Sequence, residues 1–306
     1  MFRKAINAIK KPERILLYCS RRGWLSWMSD KSYLKKVYRL KIGKPLNLDN
    51  PQTFNEKLQW LKLYNRDPKY TNLVDKYEVR NYIANTIGEE YLIPLLGVWD
   101  KFDDINFDEL PQQFVLKCTH DSGSVIVCKD KRQFDVKKAK KKLSYCMKNN
   151  GYNFGREWPY KNIKPRIIAE KYMEDEGSAE LKDYKILCFN GEPKLIQIHS
   201  GRFDAHTQDF YDCNWNKLDI RQGSPMSNTV MEKPSCIDEM CALTQKLSNI
   251  APHVRIDWYF VNNRVYFGEI TFFDGSGFDK FEPQEWDDKL GSWITLPINN
   301  KKESES

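Results

Sequence analysis

Arg255-Ile256-Asp257-Trp258-Tyr259-Phe260-Val261-Asn262-Asn263-Arg264-Val265-Tyr266-Phe267-Gly268-Glu269-Ile270-Thr271 embeds two carboxylates in what otherwise reads as an apolar β-hairpin. Ile256, Trp258 and Phe260 alternate with Asp257, Tyr259 and Val261, which is the period of a strand. Asn262-Asn263 is turn chemistry, since Asn tolerates positive φ. Register then decides where the acids go. With a three-residue loop Val261 pairs with Val265 and Asp257 falls opposite Glu269, with Thr271 two residues further along the same face. A strict two-residue loop puts the carboxylates on opposite faces unless a bulge restores the parity. Like charges facing each other across a ladder repel, so a shared face makes sense around a divalent cation bridging phosphate oxygens. The alternative is a solvated sheet face carrying two unrelated acids.

The chain around this hairpin has 306 residues, enough for a sizeable core in two or three lobes. Its eight cysteines show no C-x-x-C pair and no His partner at metal-site spacing, so they read as core thiols in a reducing compartment. No secretory h-region and no uncharged apolar run long enough for a membrane span is visible, so the expected location is cytoplasmic. The net charge of +7 is uneven: residues 1–44 hold thirteen Lys or Arg against Glu13 and Asp30, and the remainder is net −4. Phe2, Ala5, Ile6 and Ile9 follow helical spacing among Arg3, Lys4, Lys10 and Lys11, and Trp24, Leu25, Trp27 and Met28 add an aromatic cluster. That pattern suits a helix on the anionic inner face of a membrane, and equally a helix docked on the body with solvated lysines. No nucleic-acid motif accompanies the charge, and no nucleic-acid partner is expected.

Past this head, Thr53-x-x-Glu56 is a capping box for a helix bearing Phe54, Leu58, Leu61 and Tyr64, ended by Asp67-Pro68. A second helix is expected from about Leu73 to Ile87 with Gly88 at its C-cap. Tyr91 to Val98 and Phe114 to Thr119 read as strands, and the lysines from Lys137 to Lys142 sit on a helix with Phe134 and Leu143. Another strand begins near Ile167, and Tyr184 to Phe189 pairs with Lys194 to His199 around Asn190-Gly191. A helix from Ser235 to Asn249 leads into the opening hairpin, and Lys301 to Ser306 reads as a disordered tail.

Three stretches carry chemistry besides the hairpin. Phe114 to Val127 is an apolar strand with one lysine, Lys117, running into the loop Ser122-Gly123-Ser124 and out into a second strand. Such a loop closes over phosphates through its N–H groups and hydroxyls while the lysine neutralises them; it also fits an ordinary glycine turn beside a snorkelling lysine. Ile167-Ile168-Ala169-Glu170-Lys171-Tyr172-Met173 is an apolar strand ending in an acid followed by aromatic and thioether side chains, suited to a purine edge and its pocket. Asp183-Tyr184-Lys185 alternates so that Asp183 and Lys185 share one face, which also fits a surface salt bridge.

In their order, the lysine strand and glycine loop, the acid-ended strand and the acidic hairpin resemble the ATP-grasp superfamily. Asn50 to Trp60, Asp75-Lys76-Tyr77, Leu92 to Val98, Lys117 to Gly123, Asp183-Tyr184-Lys185 and Phe189-Asn190-Gly191-Glu192-Pro193 resemble its TupA-like family over roughly residues 45 to 295. The resemblance implies an α+β, ATP-grasp fold with ATP held between two lobes. The divisions expected are a basic head (1–44), an N-terminal lobe (45–112), a small lid lobe (113–168), a C-terminal lobe (169–298) and a tail (299–306). It further implies that Lys117, Ser122, Gly123 and Ser124 meet ATP phosphates, that Glu170, Lys171, Tyr172 and Met173 hold adenine, that Asp183 serves the nucleotide, and that Lys185 is a second phosphate lysine acting in catalysis beside Arg255. Asp257, Glu269 and Thr271 would hold Mg2+, and Arg255 would stabilise charge on an acyl phosphate. Many ATP-grasp chains have Asn at the Thr271 position, and comparable family members have Asn-His-Gly where this chain has Thr119-His120-Asp121.

The implied activity is that of an ATP-dependent carboxylate–amine ligase of bacterial surface-polysaccharide or capsule biosynthesis, joining for example a uronic acid and an amine. A glycosyltransferase is the rival, though no D-x-D element accompanies it, and a non-catalytic nucleotide-binding scaffold is the third reading. His199, Arg202, Asp204 and Asp212 are acceptor-binding candidates.

Overall fold

The computed structural model describes residues 12–175, 181–201 and 206–298. The helical pattern of residues 2–9, Arg202, Asp204 and the tail 301–306 lie outside the described residues.

Two helices open the described chain, α1 (Pro12–Arg21) and α2 (Asp30–Ile42). The Ser29 hydroxyl caps α2 by accepting from the Ser32 N–H, and Gly43 closes it at φ 89°, a conformation open to glycine. Tyr33, Leu34, Val37 and Tyr38, spaced at helical intervals, are all buried, so α2 is part of the main core. Helix α3 (Phe54–Tyr64) carries the expected capping box between Thr53 and Glu56. The single helix expected over 73–87 is instead two, α4 (Lys69–Val74) and α5 (Val79–Thr86), with Ile87 at the C-cap and Gly88 following at φ 124°. The break lies at Asp75, whose Oδ1 accepts from the N–H groups of Tyr77 at 2.8 Å and Glu78 at 3.2 Å. A side-chain acceptor of this kind competes with the helical ladder.

Strands β1 (Leu95–Trp99), β2 (Phe114–Cys118), β3 (Ile126–Cys128) and β4 (Ile167–Lys171) form an antiparallel sheet in the order β1-β4-β2-β3. Phe114, Leu116, Cys118, Ile167 and Ala169 bury one face against Ala139 and Leu143 of α6 (Val136–Cys146), which leaves Lys117 and Glu170 on the other.

The larger sheet runs β11-β10-β5-β6-β7-β8, from β5 (Asp183–Phe189), β6 (Glu192–Ser200), β7 (Thr207–Asp212), β8 (Lys217–Leu218), β10 (His253–Val261) and β11 (Arg264–Thr271); β9 (Arg221–Gln222) lies outside it. Helix α7 (Ile237–Leu247) covers one face, burying Met240, Leu243 and Leu247 in the same core as Ile186, Val254 and Ile256. Trp258 Nε1 donates to Thr244 Oγ1 at 2.8 Å there.

The β10–β11 hairpin turns on two residues, not three. Asn262 and Asn263 have φ 48° and 60°, and Val261 pairs with Arg264. Positive φ at both positions makes the tight turn whose twist matches its strands. The register shifts between Trp258↔Phe267 and Asp257↔Glu269, leaving Gly268 as the extra residue of a bulge. A Cβ at Gly268 would sit 3.0 Å from the Asp257 carbonyl oxygen, so the close approach favours glycine. The bulge restores the parity that the short loop removes, and the two acids face each other.

Candidate functional site

Antiparallel register carries one row of side chains across the open face of the large sheet: Glu269, Asp257, Lys185 and Gln197, directly opposed on four consecutive strands. The next row holds Thr271 and Arg255, and the row on the other side holds Asp183 and His199. Every hairpin and β5 residue singled out in the sequence is thus gathered on one face. The neighbouring core face keeps Ile186, Ile256 and Trp258 fully buried.

Arg255 ties the acids together. Its Nε donates to Asp257 Oδ1 at 2.6 Å, its Nη2 to Asp257 Oδ2 at 2.8 Å, Glu269 Oε1 at 3.1 Å and Thr271 Oγ1 at 3.2 Å, and its Nη1 to Asp274 Oδ1 at 2.5 Å. Lys185 Nζ is hydrogen-bonded to Asp257 Oδ2 and lies 3.8 Å from Asp183. Burial on its own raises the Asp257 pKa, but Arg255 and Lys185 outweigh it and hold the carboxyl below its ordinary value. Burial is likewise outweighed at Glu269, chiefly by Lys76, and at Asp274, chiefly by Arg255. All three stay ionised. Asp257 and Asp274 are buried, while the Glu269 side chain is 32% exposed and is the open end of the cluster.

Two carboxylates with the Thr271 hydroxyl make a set of hard oxygen donors, the kind magnesium takes together with phosphate oxygens and water. The pair is already spanned by a cation, since Arg255 Nη2 contacts both acids, so the donors fit a divalent ion once the guanidinium yields. Among the described residues no group of three or more His, Cys, Asp or Glu stands at metal-holding spacing.

The small sheet carries the other residues singled out for the nucleotide. Lys117 Nζ lies 2.6 Å from Glu170 Oε2, and Arg80 Nη1 is 3.8 Å from Glu170 Oε1. Two cations against one carboxylate leave an excess positive charge for a phosphate. Lys171 is exposed, with its N–H donating to the Pro94 carbonyl at 2.9 Å; Tyr172 and Met173 are half-buried just beyond β4. In the loop after β2, Ser122 and Gly123 are exposed, whereas Ser124 is buried. The Ser124 hydroxyl accepts from the Cys118 N–H at 2.7 Å and donates to Asp121, so it holds the loop's shape.

A cavity of about 740 Å³ begins at this point. Ser122 and Gly123 meet Arg255, Glu269 and Thr271 around it, and none of Lys117, Glu170 or Lys185 lines it. Its farther walls come from Tyr145, Asn150, Phe154 and Glu157, from Phe278 and Asp279 after the hairpin, and from Leu17 and Lys41 of the head. Burial and the neighbouring Asp274 push Asp279 up to about 6, and burial raises Glu157 despite the Lys62 cation beside it.

Two residues at the site have no role among the sequence-based expectations, Lys76 being quoted there only within the Asp75-Lys76-Tyr77 block. Lys76, carried inward by the Asp75 break, donates to the Asp121 carbonyl at 2.6 Å and stands 3.8 Å from Glu269, so it links the lid loop to the acidic hairpin. Asp274, three residues past Thr271, completes the Arg255 cluster and accepts from Gln222 at 3.0 Å. Its only sequence signal is an acid in the Phe-Phe-Asp-Gly-Ser-Gly turn that ends the strand. Of the acceptor candidates, His199 lies on the polar face and bonds His206 at 2.9 Å. Asp212 is elsewhere: it holds the turn to β8 by accepting from the N–H groups of Asn214 and Asn216.

The sequence matches the TupA-like ATPgrasp family over residues 56–295. No curated protein matches the chain. Among solved structures it is similar to a D-alanine–D-alanine ligase from Bacillus anthracis complexed with ATP, at 16% identity and TM-score 0.39 over 65% of this chain and 55% of that one. It is similar to a RimK domain ATP-grasp protein from Sphaerobacter thermophilus at 10% identity and TM-score 0.42, over 76% and 70%. It is also similar to an L-amino acid ligase from Bacillus licheniformis at 12% identity and TM-score 0.40, over 82% and 55%. The chain spans little more than half the length of the Bacillus anthracis ligase, and membership of the family rests on the sequence match.

Proposed function

The chain belongs to the TupA-like ATP-grasp family, and from that premise we propose that it is an ATP-dependent carboxylate–amine ligase acting on a bacterial cell-surface polysaccharide or its precursor. The observation that carries this reading is the convergence of Arg255, Glu269 and Thr271 with the lid residues Ser122 and Gly123 on a cavity outside the nucleotide-binding lysines. A ligase needs such a space beside the γ-phosphate; a nucleotide-binding scaffold does not.

In this mechanism the ATP phosphates lie between Lys117 on the small sheet and Lys185 on the large one. Asp257, Glu269 and Thr271 would hold Mg2+, whose positive charge would offset that of the phosphate oxygens. The acceptor carboxylate sits in the cavity against Arg255 and attacks the γ-phosphorus; the bond to the bridging oxygen breaks and ADP leaves. An amine then attacks the acyl carbon, the C–N bond forms as the acyl C–O bond to phosphate breaks, and the amine's proton leaves with the orthophosphate. No covalent enzyme intermediate is required, so the chain's contribution is position and charge: cations fixed in advance where negative charge develops. Asn150, Tyr145 and Phe154, a mixture of amide and aromatic groups, suit a hydroxyl-bearing ring such as a uronic acid.

The test is incubation with Mg-ATP and panels of uronic acids and amines, read as orthophosphate and ADP release with amide product by mass spectrometry. Release of UDP from a sugar nucleotide without ATP consumption would sink the proposal in favour of glycosyl transfer.

A further inference from the structure

Among the described residues the helical head is fastened to the body along one side. Its inner side is fixed by the buried stripe of α2, by Arg156 Nη2 donating to the Leu25 carbonyl at 2.7 Å, and by Tyr33 Oη donating to the Phe154 carbonyl at 2.8 Å. Its outer side carries Ile15, Tyr18, Trp24 and Trp27, which are 43, 53, 61 and 76% exposed. Tyr18, Arg22 and Trp24 form one patch, with Ile15 and Trp27 close to it along the chain. The Tyr18 and Trp24 rings meet edge to face at 6.1 Å, and the Arg22 guanidinium lies 5.2 Å from the Tyr18 ring centre. Ile15 is one helical turn before Tyr18, and Trp27 follows Trp24 in the turn between the helices. Grouped exposed aromatics mark a contact surface more than isolated ones do.

Charge selects the occupant. Between Glu13 and Asp30 the sequence has three arginines and no acid, within a 44-residue stretch of net +11 on a chain whose remainder is net −4. Asp30 is turned inward, 2.8 Å from Arg66 and hydrogen-bonded by Tyr152, so it does not offset the patch. Trp and Tyr are the side chains suited to the boundary between water and acyl chains, each having an apolar body and a polar edge. Aromatic insertion and basic charge together are the two signals that peripheral attachment to a bilayer takes.

We propose that the outer face of the head docks on an anionic lipid surface, with Trp24 and Trp27 at the acyl boundary and the basic residues over the headgroups. The docking itself does not depend on the ligase reading. Its consequence does: Leu17, on the inner side of α1, and Lys41, near the end of α2, wall the 740 Å³ cavity. One helix, about 10 Å across, therefore separates the cavity from the patch. Docking would therefore hold the cavity within about one helix diameter of the lipid surface.

The experiment is co-sedimentation of the full chain with phosphatidylcholine vesicles, with and without phosphatidylglycerol, at low and raised salt. Binding is expected to the phosphatidylglycerol vesicles only and to weaken with salt. The double variant Trp24→Ser/Trp27→Ser is expected to bind at least about tenfold more weakly, and Arg22→Gln about fivefold, the factor for one basic group at such a surface. Both variants alter exposed side chains remote from the nucleotide residues, so an unchanged affinity for a fluorescent ATP analogue certifies their fold. Absence of vesicle binding, equal binding to neutral vesicles, or unchanged binding by the double variant overturns the proposal. So does loss of a dimer, seen by sedimentation velocity, in the tryptophan variant with no effect of lipid. None of these outcomes bears on ATP consumption, so failure here leaves the ligase reading to its own test.

Discussion

Replacing Arg255 by Met tests whether the guanidinium holds the place of a cation between the acids. The change removes contacts to Asp257 at 2.6 and 2.8 Å, Glu269 at 3.1 Å and Asp274 at 2.5 Å, leaving Asp274 with Gln222, Asp257 with Lys185, and Glu269 with Lys76 at 3.8 Å. Breaking a buried pair by removing one partner costs about 3–5 kcal/mol, because the remaining charges stay buried and uncompensated. Arg255→Met should lose that much stability in urea unfolding without metal. Magnesium with a non-hydrolysable ATP analogue should then stabilise the variant more than the parent, since no guanidinium has to be displaced. At one ligand concentration, a hundred times the variant's dissociation constant, the variant gains about 2.7 kcal/mol and the more weakly binding parent gains less, so the deficit narrows. Wild-type stability without metal, or the same deficit with and without magnesium and nucleotide, would refute the reasoning.

Glu269→Gln keeps the shape of the hairpin but halves the carboxylate pair; ATP turnover should disappear while the far-ultraviolet spectrum is unchanged, and normal turnover would rule out the metal role. His253 is buried between the Phe54 and Phe189 rings, and burial depresses its pKa from the ordinary histidine range to about 4. The neutral form is the one the fold accepts, so its contribution is fully present above pH 6.5 and is lost as pH falls towards 4. The loss amounts to about 3 kcal/mol. His253→Phe should flatten the stability–pH slope across that window, and parallel slopes in the two proteins would count against it. Leu34→Ala in α2 should cost about 2–5 kcal/mol in the same unfolding assay, as for a fully buried core leucine; a cost below 1 kcal/mol would mean that α2 is not part of the core.

Local chemistry made much of the molecule legible in its sequence. Asn262-Asn263 and Asn190-Gly191 fix their turns through backbone φ alone, Thr53 and Glu56 cap α3 across three residues, and strand alternation puts Asp183 and Lys185 on one face. The break at Asp75 was missed because one side-chain acceptor outweighed an otherwise continuous helical pattern. With it went Lys76, whose place beside Glu269 has no periodic signature.

The sequence by itself determined the types of chemistry available: two acids in an apolar hairpin, lysines on apolar strands, and a basic aromatic head. Each follows from residue type and short-range spacing, which the chain carries without folding. Only the tertiary structure decided which of these groups meet. The bulge at Gly268, not the loop length, sets Asp257 against Glu269. Asp274 reaches Arg255 across nineteen residues, and the head closes a cavity whose other walls lie 79 residues or more beyond Lys41. Such contacts arise from register between strands and from burial of charge, and both depend on partners that are distant along the chain.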